Sequence, residues 1–250
     1  MTNNKTYFVA NWKMYGNSSS VSSINKVISL SKTKKFKKVR IVYCPPYTLL
    51  NQFKHKTKKS RISIGAQNCH AKNDYGANTG SINTKMIKSS GCKFVILGHS
   101  ENRQDGDTDQ DINNKIISAL KEKLNVIFCI GETLNEKIKK KTRLVLKRQI
   151  TKGLLNVKNI EKILIAYEPI WSIGTGIIPE INDLQKEIKK IKFYLSKKFK
   201  KKNIKVLYGG SVNSKNIKSL SQIYEINGFL IGGASKNSNK FIDIIKKSIN

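Results

Sequence analysis

Eight short apolar runs punctuate the chain and limit its possible folds more than any other feature. They are Tyr7–Ala10, Val39–Tyr43, Ile62–Ile64, Phe94–Leu97, Val126–Ile130, Ile163–Tyr167, Val206–Tyr208 and Phe229–Ile231. Their lengths and β-branched content are those of strands. They lack a clean polar–apolar alternation, the pattern of strands buried on both faces of a parallel sheet. Between most of them, apolar residues recur at helical spacing. Ile181, Leu184, Ile188, Ile191 and Leu195 form one such stripe with lysines between them. Ile112, Ile116, Ala119 and Leu120 form another, behind Asp107-Thr108-Asp109, which supplies an N-cap and negative charge at the helix start. Alternating strands and helices define an α/β chain, and eight units point to a closed (β/α)8 barrel. The alternative is an open doubly wound sheet, which the lack of Gly-x-Gly-x-x-Gly after the first run weakens. No linker or compositional break interrupts residues 1–250, so a single domain is expected.

Several function classes fall away. No run approaches the ~20 apolar residues of a membrane span, and the N-terminus lacks the apolar core of a signal peptide. A cytoplasmic protein is expected. Cys44, Cys69, Cys92 and Cys129 have no paired spacing, and His55, His70 and His99 are scattered. Neither a metal site nor dithiol chemistry is expected. The formal charge is +32, but the lysines are spread over helices and loops. No aromatic RNA-binding pattern, zinc-finger spacing or basic arm accompanies them. The charge implies a field that attracts small anions and, without sequence preference, polyanions. No specific nucleic-acid partner is expected.

In a closed barrel, the residues just beyond each strand share one mouth. Here those residues are polar or glycine. They include Asn11 and Lys13, His99-Ser100-Glu101, Glu132, Glu168, Gly209-Gly210-Ser211 and Gly232-Gly233. Glycines let backbone N–H groups approach an anion closely, and the loops after strands seven and eight commonly hold phosphate. Glu168 ends the sixth run, half in and half out of a core, and Pro169 stops that strand. The segment through Gly174 to Pro179 reads as a closing loop, whose Trp171 and Ile173 are apolar as a cover would be. A carboxylate, a histidine, a lysine and an anion cradle together suit proton abstraction beside a carbonyl on a small phosphorylated compound.

The motifs Ala10-Asn11-Trp12-Lys13-Met14, Gly98-His99-Ser100-Glu101, Cys129-Ile130-Gly131-Glu132-Thr133, Tyr167-Glu168-Pro169-Ile170-Trp171, Ile173-Gly174-Thr175-Gly176, Tyr208-Gly209-Gly210-Ser211-Val212 and Gly232-Gly233-Ala234-Ser235 resemble, in order, those of the triosephosphate isomerase family. The resemblance covers essentially the whole chain. It implies a TIM barrel that interconverts dihydroxyacetone phosphate and D-glyceraldehyde 3-phosphate without a cofactor. By position, it makes Glu168 the base and His99 the group that polarises the carbonyl and moves protons on oxygen. Lys13 and Asn11 stabilise the enediolate, and Glu101 supports the lysine and histidine. The backbone of Gly174, Ser211, Gly232 and Gly233 holds the phosphate.

The resemblance also implies a homodimer. The loop from about Cys69 to Gly80 would enter the partner near its Lys13, with Thr79 at the partner's site. Ser81 and Asn102 stand where the family often has Glu and Arg. Losing both members of such a pair leaves no charge unpaired. Tyr15 replaces a common Asn, and Ile177-Ile178-Pro179 replaces a common Lys-Thr-Ala. Pro179 is expected to stiffen that hinge.

Overall fold

All eight apolar runs form strands, and the strands pair in parallel and in chain order until the last meets the first. The computed structural model describes residues 6–249. The strands are β1 (Thr6–Asn11), β2 (Val39–Cys44), β3 (Ser63–Ala66), β4 (Phe94–Leu97), β5 (Asn125–Ile130), β6 (Ile163–Tyr167), β7 (Lys205–Tyr208) and β8 (Ile226–Ile231). Closure is made by β1, whose Phe8 lies opposite Ile41 of β2 and Phe229 of β8.

Side chains alternate across each strand, and both sides are buried. Val9, Val42, Cys44, Ile96, Ile127, Cys129, Leu164, Ala166, Leu207 and Leu230 pack together as one core inside the barrel. Their neighbours, among them Phe8, Tyr43, Val95, Phe128 and Ile165, pack outward against the helices in a second, larger core. This is why no strand shows a polar face.

Among the described residues the helices are α1 (Asn25–Lys32), α2 (Leu50–Thr57), α3 (Thr84–Ser89), α4 (Ser100–Gln104), α5 (Asp109–Lys121), α6 (Leu134–Ile138), α7 (Thr142–Gly153), α8 (Ile181–Phe199), α9 (Ile217–Ser221) and α10 (Ser238–Ile249). α5 starts as its sequence predicts. Thr108 is the N-cap, and Asp111 closes a capping box with it. α8 buries Leu184, Ile188, Ile191 and Leu195, each contributing about 2 kcal/mol by leaving water.

Two strands depart from the expected bounds by more than one residue at an end. The third run was read as Ile62–Ile64, yet β3 reaches Ala66. A side chain at Gly65 would meet Cys44 Sγ at 2.9 Å, so close packing selects a glycine whose low strand propensity hides the strand. β8 begins at Ile226 rather than Phe229. Its start is irregular: the pairing with β7 shifts register between Val206 and Tyr208, and Asn227 Oδ1 accepts the Val206 N–H at 3.0 Å.

Candidate active site

The C-terminal strand ends bring Asn11, Lys13, His99, Ser211, Gly232, Gly233 and, from the closing loop, Gly174 around one cavity of about 310 Å³. Glu168 does not line this cavity; it lies behind His99, its Oε2 3.5 Å from the imidazole Nε2.

Lys13 is held from several sides. Trp12 is buried edge-on against Phe53, with ring centroids 5.1 Å apart, and its indole N–H donates to the Ser235 carbonyl. The chain then turns through a left-handed conformation at Lys13, φ +54. A side chain bears this at a cost of about 1 kcal/mol. Two contacts hold the turn: the Lys13 N–H donates to Asn11 Oδ1 at 3.0 Å, and the Lys13 carbonyl accepts from Gln67 Nε2 at 2.8 Å. The ammonium pairs with Glu101 Oε1 at 2.6 Å.

His99 caps α4, and its Nδ1 accepts the Glu101 backbone N–H at 3.3 Å. In the neutral ring, the proton then belongs on Nε2. Nε2 lies 3.5 Å from Glu168 Oε2. Beside it, Arg103 braces the turn before His99 by donating to the Gly98 carbonyl at 2.8 Å while pairing with Asp109.

Glu168 is more deeply placed than its position at a strand end predicts. It is 1 % exposed rather than half in and half out. Its backbone N–H continues the sheet to the Ile130 carbonyl at 2.8 Å. Oε1 accepts the Ser100 N–H at 2.8 Å, whereas Oε2 has no hydrogen-bond partner. Burial raises the carboxyl above the ordinary carboxylate range, against the opposing pull of His99, the Ser100 N–H, Lys13 and Arg103.

The loop read as a cover divides its work. Ile173, Gly174 and Gly176 line the cavity. Trp171 instead anchors the loop: its indole N–H donates to Glu132 Oε1 at 3.0 Å, and Lys137 Nζ sits 3.5 Å from its ring centroid. Glu132 is buried, its carboxyl raised by burial, and it also accepts from the Tyr167 hydroxyl.

Ser172 is fully buried and joins three elements. Its hydroxyl oxygen takes the Ser211 N–H at 3.2 Å, lies 3.0 Å from the Tyr208 hydroxyl, and donates to the Ile177 carbonyl at 2.6 Å. The Ser211 donor expected for phosphate is therefore engaged by Ser172 here. A side chain at Gly210 would lie 2.3 Å from the Tyr208 hydroxyl, so only glycine fits this turn. Sequence reasoning gave no role to Glu132, Ser172, Tyr208, Gln67 or Arg103. Of these, Glu132 and Gln67 carried a positional signal, as polar residues at the ends of buried strands.

The loop after β3 leaves Thr79 exposed. A second cavity, of about 480 Å³, opens beside Lys13 and His99 and reaches Ser81, Asn102 and Lys115. Ser81 and Asn102, both uncharged, line the same space. Tyr15 lies beneath Lys236 Nζ, 3.4 Å from its ring centroid. No group of three or more metal-ligating side chains occurs among the described residues, and none of their helices is long and apolar enough to cross a membrane.

Comparisons with known proteins agree over the whole chain. A family model described as triosephosphate isomerase matches residues 6–248. A triosephosphate isomerase of Geotalea uraniireducens is 38% identical over 251 residues, covering 98% of this chain and 99% of that one. One of Zygosaccharomyces bailii is 42% identical over 246 residues, covering 96% and 98%. The crystal structure of triosephosphate isomerase from Bartonella henselae superposes with a TM-score of 0.90 at 32% identity, covering 98% of this chain and 100% of that one.

Proposed function

Since the chain belongs to the triosephosphate isomerase family, we propose that Glu168 is its base, His99 its proton donor to oxygen, and Lys13 the cation that meets the developing charge. The reaction is the interconversion of dihydroxyacetone phosphate and D-glyceraldehyde 3-phosphate, a step of glycolysis and gluconeogenesis.

The observation that carries this reading is Glu168 Oε2. A buried carboxylate oxygen without a partner is unfavourable by about 1–3 kcal/mol, and such an atom calls for an explanation in function. This one is 3.5 Å from the imidazole nitrogen that bears the proton. Oε2 takes a proton from the carbon beside the carbonyl, and the electron pair moves onto the carbonyl oxygen. His99 Nε2–H and Lys13 Nζ oppose that charge in a low-dielectric site, where fixed donors are most effective. Glu168 then returns the proton to the neighbouring carbon, while His99 gives a proton to the first oxygen and takes one from the hydroxyl on the neighbouring carbon, which becomes the new carbonyl. Nothing is oxidised or reduced overall, so no cofactor enters.

Asn11 assists by holding the Lys13 turn, and Glu101 acts through Lys13 as a positioning residue. The backbone N–H groups of Gly174, Ser211, Gly232 and Gly233 are assigned to the phosphate. Ser211 joins them once Ser172 releases it. The test is isomerisation of D-glyceraldehyde 3-phosphate by wild type and Glu168→Asp. Full activity in the variant would remove Glu168 as the base.

The working unit proposed is a homodimer, with the 69–80 loop and Thr79 of a second copy filling the cavity beside Lys13. Supporting it are Met14 and Tyr75, 94% and 71% exposed around that opening and that loop. The proposed compartment is the cytoplasm, which suits four unpaired thiols.

A further inference from the structure

The chain carries no Asp or Glu before Asp74. That stretch builds β1, α1, β2, α2 and β3, a continuous sector of the barrel. Its loops at the strand starts, opposite the mouth, concentrate the charge. The loop before β2 carries Lys34, Lys35, Lys37 and Lys38, and the loop before β3 carries Lys58, Lys59 and Arg61. All seven are exposed. Arg61 Nη2 donates to the Lys32 carbonyl at 2.5 Å and is 3.4 Å from that of Thr33, which fastens the two loops into one surface.

Three other strand-start loops carry an acid: Glu122 precedes β5, Glu161 precedes β6, and Glu225 precedes β8 and pairs with Lys189. The loop before β7 carries Lys200, Lys201 and Lys202 without one, but it is a single loop, with no second basic loop fastened to it as Arg61 fastens these two. None of the seven cations appears in an ion pair among the described residues. Helix ends do not explain the cluster. A cation at a helix C-terminus is favoured only within the last turn, so α1 and α2 account for one or two of them. The rest repel one another within a screening length of about 8–10 Å. A dense anion lifts that repulsion and gains further by releasing its own counterions.

The surface also says what kind of anion. No large hydrophobic residue is exposed between Tyr15 and Tyr47, or between Tyr47 and Tyr75. An apolar anchor for a protein hot spot is missing, as is an apolar face to enter a bilayer. Exposed aromatics for stacking unpaired bases are missing too. We propose that this carboxylate-free face binds the phosphate backbone of duplex nucleic acid, without reading its sequence.

The test measures anisotropy of a labelled duplex of about 25 base pairs between about 50 and 200 mM salt. Wild type is compared with two variants of equal charge change. Lys34→Glu/Lys35→Glu/Lys58→Glu/Lys59→Glu alters the face. Lys139→Glu/Lys147→Glu/Lys152→Glu/Lys158→Glu alters exposed lysines elsewhere. The face variant is expected to bind at least about tenfold more weakly, with a salt slope smaller by roughly 0.9 per lost phosphate contact. The control should lose less than about threefold, and both should keep isomerase activity. If the face variant fails to fold, the corresponding glutamine set replaces it. Equal losses in the two variants would overturn the proposal, since net charge alone would then bind. So would no wild-type binding at the lowest salt, tighter binding to a single strand of the same length, or tighter binding to phosphatidylserine vesicles.

Discussion

The backbone N–H of Ser100 holds Glu168 Oε1 at 2.8 Å and leaves Oε2 without a partner. One oxygen fixes the carboxylate, and in the proposed reaction the other keeps its lone pairs for the substrate. The fixing group belongs to the residue after His99, so the proposed base and the proposed proton donor are set by the same turn at the start of α4.

Shortening the base by one methylene should therefore be severe. Glu168→Asp cannot reach both Ser100 N–H and the substrate carbon, and a displacement near 1 Å costs about 10²-fold or more in rate. Steady-state kcat with D-glyceraldehyde 3-phosphate measures this. The fold should be unchanged by circular dichroism.

Burial makes Glu168 a stability cost once it ionises. Its folded pKa is raised, so the stability tied to its proton is fully present below the unfolded pKa, near 4.5, and is lost as pH rises through the folded value. Glu168→Gln keeps the neutral shape. It should raise Tm at pH 7, by ~2–4 °C per kcal/mol gained, and the advantage should vanish below pH 4.5. A Tm gain that persists unchanged in acid would contradict this assignment. For the wild type, the acid limb of kcat/KM should lie above the ordinary carboxylate range.

Lys13→Ala should lower kcat/KM by roughly 10³-fold, because one fixed donor to an oxyanion contributes on that scale. It should also remove the ammonium that pairs with Glu101 Oε1, leaving His99 Nδ1 3.5 Å from Oε2. Near-normal turnover would remove Lys13 from the chemistry.

Ser172→Ala removes the atom shared by Ser211, Tyr208 and Ile177. Buried groups left unpaired should lower stability by about 1–3 kcal/mol, read as an urea midpoint. The freed Ser211 N–H should change KM as well as kcat, which a purely structural loss would not do.

Sedimentation at micromolar concentration should give a dimer, and Thr79→Arg should weaken it and lower activity per chain. A fully active monomer would remove the second copy from the site.

The barrel was legible because both faces of its strands are apolar; Val9 and Phe8 point to different cores, and neither could be polar. β3 and β8 were misjudged at their ends, where Gly65 and Asn227 serve contacts rather than propensity. α3, α4 and α9 span six residues or fewer, too short for a period to register. That Asn11, Lys13 and His99 meet at one mouth, with Glu168 against His99, could be read from their positions at strand ends. Glu132 with Trp171, and Ser172 with Tyr208, could not. Those partners lie 39 and 36 residues apart, and no local pattern connects them.

Cys44 and Cys129 are sealed inside the barrel, and Cys69 and Cys92 lie in the outer core. Burial pushes the last two thiols up to about 12 and the first two well above their ordinary value. The reactive thiolate is therefore almost absent from the native molecule. An alkylating reagent would have to wait for the barrel to come apart, and the pace at which each cysteine is labelled would time the opening of its own layer.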